Sequence, residues 1–97
     1  MNLEILPLAK HDVAKPATYY GRQRAGLDDE FLVELQAAEN AIRSAPLQFE
    51  EARPGIRRYL LDRFPYGVYY RTLTPDIVQI VVVKHHSRRP GLGMRRT

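Results

Sequence analysis

The chain contains neither cysteine nor tryptophan, and it has no long apolar run. Without cysteine it can form no disulfide framework and no thiolate metal site, which suits a reducing cytoplasm. Its longest apolar run, Ile80–Val83, is far too short to span a bilayer. The N-terminus has neither the basic lead-in nor the apolar core of a signal peptide. We therefore expect a cytoplasmic protein with no membrane partner.

The length predicts one domain over residues 1–97, because 97 residues leave no room for a second independent core. Apolar residues make up 44% of the chain, as in ordinary globular domains. The end of the chain, about residues 87–97, is basic and contains Pro90, Gly91 and Gly93. We expect this tail to be mostly irregular.

Charge is distributed unevenly along the chain. Residues 1–50 carry five Lys or Arg and eight Asp or Glu, for a net charge of −3. Residues 51–97 carry ten Lys or Arg and three Asp or Glu, for +7, and Lys84 is the one lysine among those ten. The planar fork of arginine suits phosphate and carboxylate. A binding surface for an acidic partner or a nucleic acid and a solvated basic face are both compatible with this pattern.

Two helices are predicted in the first half. Leu8–Arg24 has helical spacing, although Pro16 requires either a kink or a helix that begins there. Asp28–Ala45 is the clearest element, because Phe31, Leu35, Ala38 and Ile42 recur on one face. The acids at the start of this second helix and Glu34 form either a carboxylate cluster or, as we favour, a solvated face that complements the helix dipole.

Strands are predicted on both sides of this helix hairpin. A short strand over Asn2–Leu6 opens the chain, Leu47–Pro54 is a loop, and an antiparallel meander follows. The predicted strands of the meander are Ile56–Leu61, Tyr66–Thr72 and Ile77–Lys84. The fold class is therefore α+β, in the order β-α-α-β-β-β, with the helix hairpin packed on a small, mainly antiparallel sheet.

The sequence offers no motif for a metal or a cofactor. His85 and His86 are adjacent, so on a strand they point to opposite faces and cannot share one ion. Gly91 and Gly93 lack the lysine and the helix of a phosphate-binding loop, and no serine lies in a nucleophile elbow. We expect no cofactor and no metal site.

A set of basic residues is the main candidate for chemistry or binding. If the strand ends converge, these side chains would form one electropositive site, where arginine would hold a phosphate and a histidine would move a proton. Scattered surface arginines are the alternative. The set comprises Arg57, Arg58, Arg63, Arg71, His85, Arg88 and Arg89.

Several strings resemble the ParE and RelE toxins of bacterial toxin–antitoxin systems. The run Gly55–Tyr70 contains Arg63-Phe64-Pro65-Tyr66, which is similar to a string in the sheet of ParE-type toxins. Val83–Pro90 resembles the end of that family's last strand, with its V-x-H-x-x-R-x-P pattern. Gly26-Leu27 with Phe31 resembles the start of its second helix, and Pro46 stands where that helix ends. The resemblance is nearest to the ParE-like branch.

This resemblance implies the toxin component of a type II toxin–antitoxin system, with the β-α-α-β-β-β fold and a small cognate antitoxin as partner. ParE-like members poison DNA gyrase, which is binding and not catalysis, whereas RelE-like members cut messenger RNA in the ribosome. An inactive relative that still binds an antitoxin is a third possibility. Whether the chain is an enzyme stays open.

The two activities would use different residues. For target or nucleic-acid binding, the resemblance and the charge pattern together indicate Arg58, Arg63, His85, Arg88, Arg89, Arg95 and Arg96. For the ribonuclease alternative, they indicate Arg63, Arg71 and His85, since RNA cleavage needs proton transfer and cations around the phosphate.

Overall fold

The chain begins with a strand, continues with two helices and ends with four strands. This is the arrangement in the computed structural model, which describes residues 2–87, Gly93 and Arg96. It confirms the predicted α+β class and adds one strand to the predicted order. The elements are β1 (Asn2–Ile5), α1 (Pro7–Gln23), α2 (Leu27–Ser44), β2 (Glu51–Arg53), β3 (Ile56–Leu60), β4 (Tyr66–Thr74) and β5 (Ile77–His85).

The five strands form one mixed sheet in the order β1-β5-β4-β3-β2. Strands β3 to β5 form the predicted antiparallel meander, and β2 pairs antiparallel with β3 as an additional strand. β1 pairs in parallel with β5, from Asn2 opposite Ile77 to Ile5 opposite Ile80. Parallel neighbours need a long connection, and the helix hairpin is its first part. Because β1 ends at Ile5, no strand of the described residues borders this side of β5 beyond Ile80.

Helix α1 is one helix from Pro7 to Gln23, with Pro16 inside it. A start at Pro16, one of our two alternatives, is therefore wrong. Pro7 occupies the first turn, where its missing N–H costs nothing. Pro16 has no N–H to donate to the carbonyl of Asp12, but its ring is buried. Burial of the ring offsets part of that loss.

Helix α2 follows the predicted pattern. Its buried residues are Phe31, Leu35, Ala38 and Ile42, the four that the spacing indicated. Gly26 precedes it with a φ of 87°, a left-handed conformation that glycine adopts without steric cost. The helix thus turns its apolar stripe to the sheet and its acidic first turn to the surface.

The prediction of a loop over Leu47–Pro54 is wrong in part, because β2 lies within it. Glu51–Arg53 pairs with β3 across a tight turn that contains Gly55, whose φ is 81°. All three residues of β2 are exposed. A strand at the sheet edge with no buried side chain has no alternation of apolar and polar residues, so its pattern gives no signal.

Apolar side chains pack on both faces of the sheet. On the helix side, four rings form an aromatic cluster whose neighbouring centroids lie 4.8–6.3 Å apart: Tyr20, Phe31, Phe64 and Tyr66. On the other face, which we call the helix-free face, a smaller cluster contains Ile56, Tyr69, Val81 and Val82. β5 is therefore buried on both sides, as its apolar run predicts.

A β-bulge changes the alternation of β5. Tyr69 lies opposite Val82 and Tyr70 lies opposite Ile80, so Val81 is an extra residue on β5. A bulge of one residue exchanges the faces of all the residues that follow it. Gln79 and Lys84 consequently lie on the same face, although strict alternation would have separated them.

We predict that Tyr70→Phe lowers the free energy of unfolding by about 1 kcal/mol, because the buried Tyr70 hydroxyl donates a 2.7 Å hydrogen bond to the carbonyl of Pro46 at the end of α2. In a domain of this size, such a loss lowers Tm by about 4–8 °C. Thermal unfolding of the two variants Tyr70→Phe and Tyr19→Phe measures this, since Tyr19 is 58% exposed. Equal Tm values for the two would contradict the assignment.

Candidate functional site

Among the described residues, four basic side chains lie on the helix-free face: Arg53, Arg58, Arg71 and Lys84. Arg58 is directly opposite Tyr69 in the register, and the Nζ of Lys84 lies 4.8 Å from the centre of the Tyr69 ring. Lys84 is only 5% exposed. Its burial, and secondly the charge of Arg53, lower the pKa of its ammonium group. Arg71 lies two residues after Tyr69 on the same face of β4, so the four cations share one face of the sheet with a buried aromatic ring.

Acidic and amide groups border this basic group. Arg58 pairs with Glu50 at 3.3 Å, while its buried Nε has no hydrogen-bond partner among the described residues. Arg71 Nε donates to Gln79 Oε1 at 2.9 Å, and Gln79 Nε2 donates to Glu4 Oε1 at 2.6 Å. Arg71 is therefore held in place through a chain of hydrogen bonds that reaches β1.

Arg63 lies on the opposite side of the sheet, at the turn before β4. Its Nη1 is 2.8 Å from Glu30, and its Nε is 3.0 Å from Glu34. Hydrogen bonds to Glu30 and Glu34 raise the pKa of Arg63, and the hydrogen bond from Arg63 is the main cause of the lowered pKa of Glu30. The acids of α2 thus hold the Arg63-Phe64-Pro65-Tyr66 turn against the helix, which gives this string a structural role.

His85 also lies on the helix side, at the end of β5. Its ring packs edge-to-face on Tyr66 with centroids 5.4 Å apart, and Tyr66 in turn contacts Phe31. Its Nδ1 accepts a hydrogen bond from the backbone N–H of Ser87 at 3.1 Å. The imidazole is therefore fixed beside the aromatic cluster.

The structure does not bring the three ribonuclease candidates together. His85 is opposite Tyr66, five residues before Arg71 on β4, so the two positions are about 16 Å apart along the sheet. They also lie on different faces, because the bulge at Val81 moves His85 to the helix side. Arg63 is engaged with the acids of α2. Among the described members of the basic set, Arg58 and Arg71 share the helix-free face, whereas Arg57, Arg63 and His85 lie on the helix side.

The remaining candidates divide between the sheet and the tail. Arg57 lies on the helix side, where its Nη1 donates to the carbonyl of Phe49 at 2.7 Å. Arg96 forms a two-point ion pair with Asp12 of α1, at 2.6 and 3.0 Å. Arg88, Arg89 and Arg95 lie outside the described residues. The role of all these residues in target binding stays a prediction.

Sequence reasoning missed Asp12, Arg53 and Lys84. Asp12 is one of several polar residues on α1, and its partner is 84 positions away, so no local pattern marks it. Lys84 has a weak signal, since it is the one charged residue of β5 before His85 and directly follows an apolar run. Only the position of the bulge decides which face it occupies.

An apolar groove of about 320 Å³ lies between the two helices and the sheet. Its lining includes Val13 of α1, Leu32 of α2 and Val83 of β5. Leu32 is 43% exposed. Glu39 also lines the groove, and burial raises the pKa of its carboxyl group, against the opposing effect of Arg43. The groove therefore offers an apolar floor, and its lining also includes the carboxyl group of Glu39 and the ammonium group of Lys10.

The part of the chain that the structure describes contains no group of three His, Cys, Asp or Glu placed to hold a metal ion. None of its helices combines the length and apolarity that a membrane span requires.

One family model matches most of the chain. The family model described as the ParE toxin of the type II toxin–antitoxin system parDE matches residues 3–90. The fold is similar to that of a solved structure of the chromosomal ParDE TA system from P. aeruginosa, with a TM-score of 0.63. That comparison covers 88% of this chain and 95% of the other, at 18% sequence identity, so it bears on the fold alone. A search of curated proteins finds no significant match.

We predict that Glu34→Ala destabilises the chain by about 1–2 kcal/mol, because hydrogen bonds to a charged group are stronger than average. Glu34 accepts from the backbone N–H of Asp62 at 2.9 Å and of Arg63 at 3.2 Å, and from Arg63 Nε at 3.0 Å. Urea unfolding measures the change. Asp29→Asn, on the exposed first turn of α2, is the control and should change stability by less than about 1 kcal/mol. A smaller effect for Glu34 than for Asp29 would refute the role assigned to this carboxylate.

Proposed function

Because the chain belongs to the ParE toxin family of type II toxin–antitoxin systems, we propose that it is a toxin that inhibits DNA gyrase in the bacterial cytoplasm and is neutralised by a cognate antitoxin. The family match over residues 3–90 carries this proposal. Inhibition would occur through binding and not through catalysis. The binding residues would be the arginines of the tail, together with basic residues at the sheet.

The charge distribution supports a target that includes DNA. Residues 51–97 have a net charge of +7, and nine of their ten cations are arginine. Arginine forks form two hydrogen bonds with a phosphate, so a gyrase–DNA complex offers them matching groups. The dispersion of Arg63, Arg71 and His85 also favours binding over RNA cleavage, which needs an acid, a base and cations around one phosphate.

Cleavage of ribosome-bound messenger RNA is the second candidate. It is supported by Arg53, Arg58 and Arg71, three arginines that share the helix-free face with the buried Tyr69 and Lys84. On this reading the cations would hold the RNA backbone. For proton transfer, this face offers the buried Lys84 and Tyr69 but not His85, which lies on the helix side.

A gyrase assay with the purified chain tests the main proposal. We expect loss of supercoiling activity and accumulation of cleaved plasmid when the chain is added to gyrase, DNA and ATP. The double variant Arg88→Ala/Arg89→Ala should reduce potency by about tenfold or more, since each charge-assisted contact contributes up to 1.5–3 kcal/mol. Arg22→Ala/Arg43→Ala removes the same charge from the exposed surfaces of the two helices and is the matched control.

Other results would lead to different conclusions. Growth arrest with intact DNA and cut transcripts would identify the ribosome, and not gyrase, as the target. Equal loss of potency in both double variants would show that inhibition depends on net charge and not on the position of the tail arginines. No growth arrest and no effect on gyrase would identify an inactive relative that retains only antitoxin binding.

For the antitoxin, we propose the groove between the helices and the sheet as the docking surface. The groove is apolar, and Leu32 remains 43% exposed beside it. A small toxin gains stability when a partner covers such a surface. The carboxyl group of Glu39 and the ammonium group of Lys10, which both line the groove, would add selectivity for a partner segment that combines apolar residues with charged ones.

We predict that Leu32→Asp weakens antitoxin binding at least tenfold, since a charged group would enter an apolar interface. The control is Val33→Asp, the same change on the next residue of α2, which is 68% exposed and does not line the groove. Isothermal titration of each variant with the antitoxin measures the difference. Binding that depends equally on both positions, or on neither, would place the antitoxin elsewhere.

A further inference from the structure

The three arginines of the helix-free face are neighbours across strands. Arg58 is directly opposite Tyr69, so Arg71, two residues further along β4 on the same face, is its diagonal neighbour at about 7–8 Å. Arg53 is opposite Ile56, two residues before Arg58 on β3, and is therefore the diagonal neighbour of Arg58 on the other side. Arg58 thus lies between two further arginines on one surface of the sheet.

The acids near these arginines balance their charge only in part. Arg58 Nη2 lies 3.3 Å from Glu50, whose side chain is 72% exposed, so water screens this ion pair. Arg71 Nε donates to a neutral amide, that of Gln79, and the carboxylate of Glu4 accepts from Gln79 and not from the arginine. Positive charge therefore remains for an anion that approaches this face, and the guanidinium of Arg71 is already held in place for it.

Two cations of this face repel each other. The Nζ of Lys84 lies 4.8 Å from the centre of the Tyr69 ring, and the residue is 5% exposed. Its burial, and secondly the charge of Arg53, lower the pKa of the ammonium group. The effect of Arg53 shows that the like charges are close enough to interact. An anion bound between them would relieve this repulsion.

Arg58 also has a donor that lacks an acceptor. Its Nε is buried and has no hydrogen-bond partner among the described residues. A buried donor without a partner costs free energy, so a shift of the guanidinium that brings this N–H to an external oxygen is favoured. A phosphate group supplies such oxygens, and its geometry matches the two-point fork of arginine. The chemistry of Arg58 therefore favours a phosphate as the anion.

The helix-free face does not provide a stacking platform for bases. Among its described residues the aromatic side chain is Tyr69, which is only 3% exposed. Proteins that bind single-stranded nucleic acid stack its bases on exposed aromatic rings. A DNA duplex keeps its bases inside and presents its phosphates outside, so arginines can hold it without contacts to bases. The face is therefore suited to the backbone of a duplex.

We propose that Arg53, Arg58 and Arg71 bind the phosphate backbone of double-stranded DNA on the helix-free face, with Arg58 at the centre of the site. Arg58 then exchanges its ion pair with Glu50 for a phosphate. The inference deepens the proposed function and rests on it for the source of the DNA, because a chain that holds the duplex directly would stay on a gyrase–DNA complex. Contacts to the backbone carry no sequence information, so binding has no strong sequence preference.

Titration of the full chain with a short labelled DNA duplex, between about 50 and 200 mM salt, is the first measurement. Arg58→Gln should weaken binding about tenfold and reduce the slope of log K against log salt concentration by about 0.9, the value for one lost phosphate contact. Arg22→Gln removes the same charge from the exposed surface of α1 and is the matched control. Equal losses in the two variants, or an unchanged slope in Arg58→Gln, would overturn the site.

Glu50→Gln should have the opposite effect. It removes the carboxylate that competes with phosphate for Arg58, so duplex binding should tighten about two- to fivefold. A misfolded variant would not gain affinity, which makes this result independent of stability. The control is Glu51→Gln, the same charge change on the next residue, whose carboxylate pairs with Arg57 on the helix side. No gain in Glu50→Gln, or an equal gain in both variants, would overturn the site.

Further probes distinguish the duplex from other ligands and this inference from the proposed function. Tighter binding of single-stranded DNA or RNA than of the duplex would overturn the choice of ligand. Loss of affinity in Arg88→Ala/Arg89→Ala but not in Arg58→Gln would place the DNA contact in the tail. Duplex binding that depends on Arg58, without inhibition of gyrase, would confirm the site and refute the proposed function. Inhibition of gyrase by a chain that does not bind the duplex would leave the proposed function standing and overturn this inference.

Discussion

Strand β5 has to satisfy hydrogen-bonding groups on two edges and bury side chains on two faces. β4 covers one edge, whereas β1 covers the other only as far as Ile80. The helices cover one face, and Ile56, Tyr69 and the chain end meet the other. The other elements of the fold are therefore positioned by their contacts with β5. The first strand, both helices and the C-terminal end all converge on these nine residues.

The bulge at Val81 connects this packing to the candidate sites. Before it, Gln79 lies on the helix-free face with Arg71. After it, Lys84 takes that face, and His85 is turned to the aromatic cluster. A strand without the bulge would have placed His85 on the same face as Arg71 and turned Lys84 towards the helices. One extra residue thus decides whether the helix-free face carries an imidazole or an ammonium group.

Sequence patterns correctly predicted the elements that bury regularly spaced or continuous apolar residues. The spacing of Phe31 to Ile42 located α2 to within a residue at each end, and the apolar run located β5. They failed where the determining contact is distant or absent. Strand β2 buries nothing, and Pro16 is tolerated because of tertiary packing that no local rule contains.

The basic residues show more clearly that contacts between distant residues cannot be predicted from local sequence. Composition indicated that the second half is rich in arginine, but not that Arg63 is held by Glu30 and Glu34 or Arg96 by Asp12. These partners lie 29 to 84 positions away in the chain. The face that each cation occupies depends on the register and on the bulge, and alternation counted along the sequence cannot determine either.

The parallel pairing of β1 with β5 also has a consequence for synthesis. The partner of β1 lies about 75 residues later in the sequence, and contacts between residues so far apart slow folding. A nascent chain cannot complete its sheet until Ile77–His85 has left the ribosome, so the helix hairpin is translated well before the surface on which it packs. During that interval the domain is not completely folded. A binding partner that is already present would therefore encounter a partly folded chain.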